Sequence, residues 1–210
     1  MSATARRQHP AMPAAGLAEL APGFHDPVHD AQMTFRAILD ALAHPGRIVE
    51  RPAALAASAP APLGDAAAAV ALTLCDMDTP IWLDSGLARC ADYLRFHCGA
   101  PQAAAPGDAH FAFISDPSAL PALDAFALGS DEYPDRSTTL VVEVAGLRAG
   151  EGHTLSGPGI AGSARLAVAG LPEGFSRQRE MFAVLLPRGL DVIFTCGPRL
   201  AVVPRTTVMI

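Results

Sequence analysis

Two apolar periods alternate along this chain, and that alternation restricts the fold more than any other feature. Ile81-Trp82-Leu83 after Thr79-Pro80, Phe111 to Ile114, Thr138 to Val144, Asp191 to Thr195 and Leu200 to Val203 are short runs with almost no polar face. Such runs belong to strands covered on both sides. Between them lie stretches of helical spacing. Phe35, Ile38, Leu39 and Leu42 fall at i, i+3, i+4 and i+7, with Asp30 as a cap and Pro45-Gly46 as the stop. Further helices are predicted from Asp65 to Cys75, from Ser85 to near Gly99 with Leu87, Cys90, Ala91 and Leu94 on one face, from Asp116-Pro117 to about Leu128, and from Pro172 to Leu185. Gly150-Glu151-Gly152 is read as a turn into a strand at His153 to Leu155, residues 165 to 169 as one more strand, and Gly197-Pro198 as the turn between the last two. Helices and strands interleave without an internal repeat, which gives an α/β class with a mixed sheet. The first 24 residues, rich in Ala and Pro, read as a loose arm, and residues 25–210 as a single domain.

Composition then removes chemistries. All 15 strongly basic residues are Arg, so no side-chain ε-amine exists for a Schiff base or a phosphate-loop Lys. A formal net charge of −6 argues against a nucleic-acid binder, whose affinity comes mostly from neutralising phosphates. A small phosphorylated ligand needs only a local Arg cluster. No apolar stretch reaches the roughly 18 residues that cross a bilayer, so no membrane span is expected. Cys75, Cys90, Cys98 and Cys196 form no CxxC pair and lie in apolar stretches, as buried thiols of a reducing cytosol do. Arg6 and Arg7 are followed by Pro10, Pro13, Gly16 and Glu19 rather than by an apolar export core, which makes the cytoplasm the expected location.

Several constellations carry chemistry, and each has a plainer meaning beside it. Gly157-Pro158-Gly159-Ile160-Ala161-Gly162 satisfies GxGxxG. Pro158 removes a donor and no helix follows, so a Gly-rich turn between strands is the better reading. His25-Asp26 and His29-Asp30 have metal-ligand spacing, but Pro27 prevents one helix from carrying all four, leaving a solvated helix entrance and no metal. His97 could serve as a base; without a nucleophile signature it reads as a hydrogen-bonded residue at a helix end. Asp76 and Asp78 before Thr79-Pro80 form either an acid/base pair or a tight helix-to-strand turn. In Pro204-Arg205-Thr206-Thr207, Arg with two hydroxyls suits a phosphate or a partner's carboxylate, and equally a plain strand end.

Taken in order, these segments resemble the PhnH subunit family of the bacterial carbon–phosphorus lyase system. The likeness is carried by Pro27-Val28-His29-Asp30-Ala31-Gln32 with Phe35-Arg36, by Ala43-His44-Pro45-Gly46, and by Leu72-Thr73-Leu74-Cys75-Asp76 with Thr79 to Leu83. It continues through Leu94-Arg95-Phe96-His97, Ser137-Thr138-Thr139-Leu140, Leu155 to Ile160, Gly189 to Ile193 and Leu200 to Thr207. The resemblance implies a three-layer α/β/α fold similar to the large domain of PLP-dependent transferases, working without PLP or another cofactor. It also implies a role with PhnG, PhnI and PhnL in forming α-D-ribose 1-methylphosphonate 5-triphosphate from ATP and methylphosphonate, beside the radical subunit PhnJ, and a homodimer when isolated. No catalytic residue is identifiable, which suits a structural or site-completing subunit. Arg36, Arg95 and Arg205 inside the resembling blocks are the expected phosphate contacts, with Asp30, His97 and Thr206 as polar support. The alternative is a free-standing homodimeric enzyme acting on a phosphorylated small molecule.

Overall fold

A computed structural model of the chain describes residues 21–50 and 58–210. The expectations for the first 20 residues, including most of the arm and the Arg6–Arg7 segment, lie outside these. Residues 21 to 24 pack against the helices: Phe24 is buried beside Ala69 and Leu72.

Helix α1 (Pro27–Ala43) starts where the sequence supplies both halves of a reciprocal cap. The Asp26 carboxylate accepts the His29 amide at 3.0 Å, and the Asp30 carboxylate accepts the Asp26 amide at 2.9 Å. With Pro27 in the first turn, Asp26 is the N-cap in place of the expected Asp30. The buried side of α1 is made of Thr34, Ile38 and Ala41, whereas Phe35, Leu39 and Leu42 are 45%, 48% and 37% exposed. The stripe that the spacing groups on one face therefore points mostly to solvent. Its neighbour α2 (Asp65–Leu74) is buried continuously from Ala66 to Ala71. An alanine surface lets α1 and the sheet approach closely, and on the inner side of α1 Ile38 is flanked by the smaller Thr34 and Ala41.

Among the described residues six strands form the main sheet, in the order β1-β8-β7-β4-β3-β2. They are β1 (Ile48–Glu50), β2 (Ile81–Leu83), β3 (Phe111–Ile114), β4 (Thr139–Glu143), β7 (Asp191–Cys196) and β8 (Arg199–Val203). The four strands β2, β3, β4 and β7 are mutually parallel; β8 and the edge strand β1 add antiparallel pairs. A 3-10 turn (Ser85–Cys90) and α3 (Ala91–Cys98) link β2 to β3. The Asp84 carboxylate, almost fully buried, fixes this crossover by accepting the Leu87 amide at 2.9 Å and the Ser115 amide at 2.7 Å.

Helices α1 to α3 cover one face of the sheet, over Phe113, Val141, Ile193, Leu200 and Val202. The other face, with Leu140, Val142, Val192 and Phe194, is covered by Leu147, Leu155, Leu166 and Val168 of a second sheet and by Phe175. That sheet contains β5 (Gly146–Ser156), β6 (Ala164–Ala169) and β9 (Val208–Met209) in the order β6-β5-β9. Phe175 opens the short α4 (Phe175–Met181). The third layer is thus mainly a small antiparallel sheet, a correction to the expected α/β/α sandwich. Its cause is local. Pro121 lacks an amide donor and interrupts the expected helix after Asp116, leaving 3-10 turns at Pro117–Ala119 and Leu123–Ala125. Gly174 at φ +84° delays the last helix, which reaches only Met181 before a 3-10 turn at Ala183–Leu185. Gly150-Glu151-Gly152 makes a bulge inside one long strand rather than a turn, since Ala149 and His153 both face Leu166.

The two covers touch through glycine. Gly46, at φ +83°, lies so close to Leu155 that an added Cβ would sit 2.5 Å from Cδ1; Gly159, also at φ +83°, would place one 2.3 Å from the Ala43 carbonyl oxygen. Both the backbone conformation and the space exclude a side chain. Gly46→Ala and Gly159→Ala are each expected to destabilise the chain by about 2 kcal/mol or more. Urea denaturation checks this, with Gly197→Ala as a comparison in which only the positive φ of 57° is at stake, because its Cβ would meet open space.

Acid should loosen the α2–β2 turn. The Asp76 carboxylate accepts the Thr79 hydroxyl at 2.7 Å and the Asp78 amide at 2.9 Å, and these bonds lower its pKa from the ordinary 3.8. A folded-state pKa below the unfolded one contributes stability that is present above pH 3.8 and is lost as pH falls through the lowered value. Thr79→Val removes the larger bond. The parent's advantage over this variant in urea midpoint is expected to be larger at pH 6 than at pH 3.

Candidate functional site

The expected arginines occupy three separate places. Arg36 is exposed in the middle of α1. Arg95, in the last turn of α3, pairs with Asp92 at 2.6 Å and borders a recess of about 170 Å³ with Ala100, Pro101 and Gln102. Arg205 follows β8 at the rim where the parallel strands begin, and its fork is already engaged. Nε donates to both Asp191 carboxylate oxygens at 3.1 and 3.3 Å, Nη2 to Asp191 and to the Ser137 hydroxyl, and Nη1 to the Pro134 carbonyl. Arg205 and Thr206 border an open cavity of about 560 Å³ whose other walls are Pro134, Asp135, Leu186 and Pro187. With Asp191 balancing the guanidinium and Asp135 nearby, that cavity is not cationic.

Arg179 on α4 reinforces the same rim. It donates to the carbonyls of Leu190 at 3.1 Å and Pro204 at 2.9 Å, while its buried Nε has no partner among the described residues. Burial pulls this guanidinium down to about 10, opposed by the Asp191 charge, so it stays a cation at neutral pH. Two arginines thereby pin the strand ends around one carboxylate.

The supporting residues serve local structure. Asp30 completes the α1 cap, and the His97 ring lies 3.0 Å from the Ala21 carbonyl with the Tyr93 ring tilted against it, centroids 4.5 Å apart, tying residues 21 to 24 to α3. His25 and Asp26 precede α1 while His29 and Asp30 lie in it. Among the described residues no group of three or more His, Cys, Asp or Glu could hold a metal ion. Cys75 and Cys90 are buried, Cys98 and Cys196 half-buried. Burial pushes the Cys98 thiol up to about 12 and raises Cys75 and Cys90 as well, so these are poor nucleophiles.

The structure also builds a groove that the sequence reading did not single out. Its walls are the end of α1, from His44 to Arg47, and the β5–β6 loop with Arg165; it encloses about 360 Å³. Two blocks of the family resemblance, Ala43 to Gly46 and Leu155 to Ile160, meet here. The His44 ring nitrogen Nδ1 lies 2.9 Å from the Asp40 carbonyl, and Arg47 donates Nη1 to the Asp40 carboxylate at 3.1 Å. The signal available in sequence was the pair of Gly-containing blocks, each within a few residues of an Arg.

Fold and rim together define a mixed α/β protein whose surface grooves are bordered by arginine and whose chain offers no lysine amine. The chain belongs to the PhnH family of bacterial phosphonate metabolism proteins, which matches residues 22–209. It is 45% identical over 186 residues to the alpha-D-ribose 1-methylphosphonate 5-triphosphate synthase subunit PhnH of Rhizobium meliloti, covering 88% of this chain and 92% of that protein. It is also 32% identical over 180 residues to HtxG of Stutzerimonas stutzeri, named as a C-P lyase subunit protein, covering 84% of each chain.

Removing Arg205 leaves the Asp191 carboxylate, only 21% exposed, without its countercharge. Arg205→Ala is expected to destabilise the chain by about 3 kcal/mol, and Arg205→Lys by less, because an ammonium keeps the countercharge although it cannot reproduce the fork. Chemical denaturation reads the effect; an unchanged midpoint for Arg205→Ala would show that the guanidinium does not hold the rim.

Proposed function

We propose that this chain is the PhnH-type subunit of a carbon–phosphorus lyase system in organic phosphonate catabolism. It acts there with PhnG, PhnI and PhnL in forming α-D-ribose 1-methylphosphonate 5-triphosphate from ATP and methylphosphonate, with PhnJ in the same complex. The carrying observation is the 45% identity to the Rhizobium meliloti subunit across nearly the whole of both chains. The role is structural or site-completing rather than catalytic alone. Supporting this, burial raises the Cys75, Cys90 and Cys98 thiols, while Asp30 is committed to a helix cap and Arg205 to the rim. Large apolar side chains also stand in water: Phe35, Leu39 and Leu42 along α1, Met181 at the end of α4, and Val184 and Leu186 after it. Contiguous exposed apolar surface is what an assembling subunit presents.

The proposal includes four finer points: likeness of the fold to the large domain of PLP-dependent transferases without the cofactor, a homodimer when isolated, those named partners, and a cytoplasmic location. The missing lysine supports the first. The last agrees with the finding that no helix among the described residues is long and apolar enough to cross a membrane. Arg36 and Arg95, whose guanidinium groups reach solvent, stay within the proposal as phosphate contacts; Arg205 acts through the rim that it pins.

Deleting the gene from its host is expected to abolish growth on methylphosphonate as the sole phosphorus source, with recovery from a plasmid copy. The tagged chain should co-purify with the partner subunits, and ATP with methylphosphonate should be turned over only by the assembled set. Turnover by the purified chain alone would instead support the free-standing homodimeric enzyme.

A further inference from the structure

We propose that the groove between the end of α1 and the β5–β6 loop binds the phosphates of a terminal triphosphate. This rests on the subunit reading for its biological setting, and on the following geometry for its chemistry. Arg47 and Arg165 border the groove together with His44 and Ser163; among the described residues no carboxylate lines it, and the Asp40 carboxylate, outside the lining, pairs with both Arg47 and His44 at 3.1 Å. Each Arg is tethered by one nitrogen and keeps the others. Arg47 commits Nη1 to Asp40, and Arg165 commits Nη2 to the Gly152 carbonyl at 3.1 Å; among the described residues the remaining guanidinium donors have no partner. A guanidinium held at one end loses little further freedom when its free edge meets a phosphate, and its planar fork matches phosphate oxygens.

The loop adds backbone donors. Gly159 and Gly162 have φ of +83° and +80°, while the residues around them keep negative φ. A change of hand between neighbouring residues is the backbone feature of anion-binding concavities, and Ala161 and Ser163, on either side of Gly162, line the groove. Among the described residues, the amides of Ala161, Gly162 and Ser163 donate to no protein acceptor. Packing explains Gly159, which presses on Ala43, but not Gly162, whose Cβ would meet open space. At Gly162 the demand comes from the backbone conformation itself. The volume, about 360 Å³, lies at the lower end of the ~300–1,000 Å³ typical of small-ligand sites. It can house a phosphate chain while the rest of the ligand projects toward a neighbouring subunit.

Calorimetric titration of the purified full chain with inorganic tripolyphosphate tests the site, with ATP in a second arm and sulfate as the single-anion comparison. Binding of tripolyphosphate and ATP is expected to exceed that of sulfate and to weaken with added salt. Arg47→Gln and Arg165→Gln should each reduce tripolyphosphate affinity about tenfold, and the double variant should abolish it. Arg177→Gln, at an exposed position of α4 outside the groove, should leave it unchanged, and thermal melts establish that each variant folds. ATP binding tighter than tripolyphosphate assigns added contacts to the nucleoside; equal binding assigns recognition to the phosphates alone, and either supports the site. Absence of tripolyphosphate binding, or equal affinity in the folded double variant, overturns it. Complementation on methylphosphonate separates the two readings: a parent chain that restores growth but binds no tripolyphosphate refutes the groove and leaves the subunit role, whereas failure to complement refutes the role whatever the titration shows.

Discussion

The interior of this protein is organised by strands that have no polar side. In β4 and β7, Leu140, Val142, Val192 and Phe194 point one way and Val141 and Ile193 the other, all at 3% exposure or less. Two covers are therefore obligatory, and the chain supplies unlike ones: helices on one face, a small antiparallel sheet on the other. Where these covers meet, beside β8, Gly46 and Gly159 allow backbone to approach neighbouring chain directly, and the Arg47–Arg165 groove opens along that seam. The groove is a consequence of how the strands are clothed rather than a separate addition to the fold.

The strands were legible in the sequence because their burial leaves an unbroken apolar run. Phe111 to Ile114 and Asp191 to Thr195 read correctly for that reason. Helix ends were legible where a side chain caps them, but competition between neighbouring carboxylates, Asp26 and Asp30, was not resolved by spacing alone. Glycine was the most ambiguous letter. A positive φ serves a turn, a bulge or a close approach equally well, so Gly150 and Gly152 gave no hint that the strand would continue through them. The outward stripe on α1 was hidden for another reason: periodicity identifies a face but not which side the core lies on.

The candidate site was less legible than the fold. Sequence singles out an Arg by the motif around it, yet the fate of its charge depends on a carboxylate brought close by topology. Asp191 and Arg205 are apart in sequence and adjacent only because β7 and β8 form a hairpin. Arg47 and Arg165 are farther apart still, and come to one groove through the contact of α1 with the β5–β6 loop. In a chain whose strong bases are all guanidinium, the same residue type serves as internal staple at Arg179 and Arg205 and as a surface donor elsewhere.

The alanine surface of α2 has a bearing on how this protein can drift. Ala66, Ala68, Ala69 and Ala71 have no measurable exposure, so the smallest enlargement finds no slack. Alanine codons become valine codons by one base change, and each such step here would wedge two methyl groups between closely fitted layers. Substitution should thus be sparse along this buried helix, however readily its codons mutate.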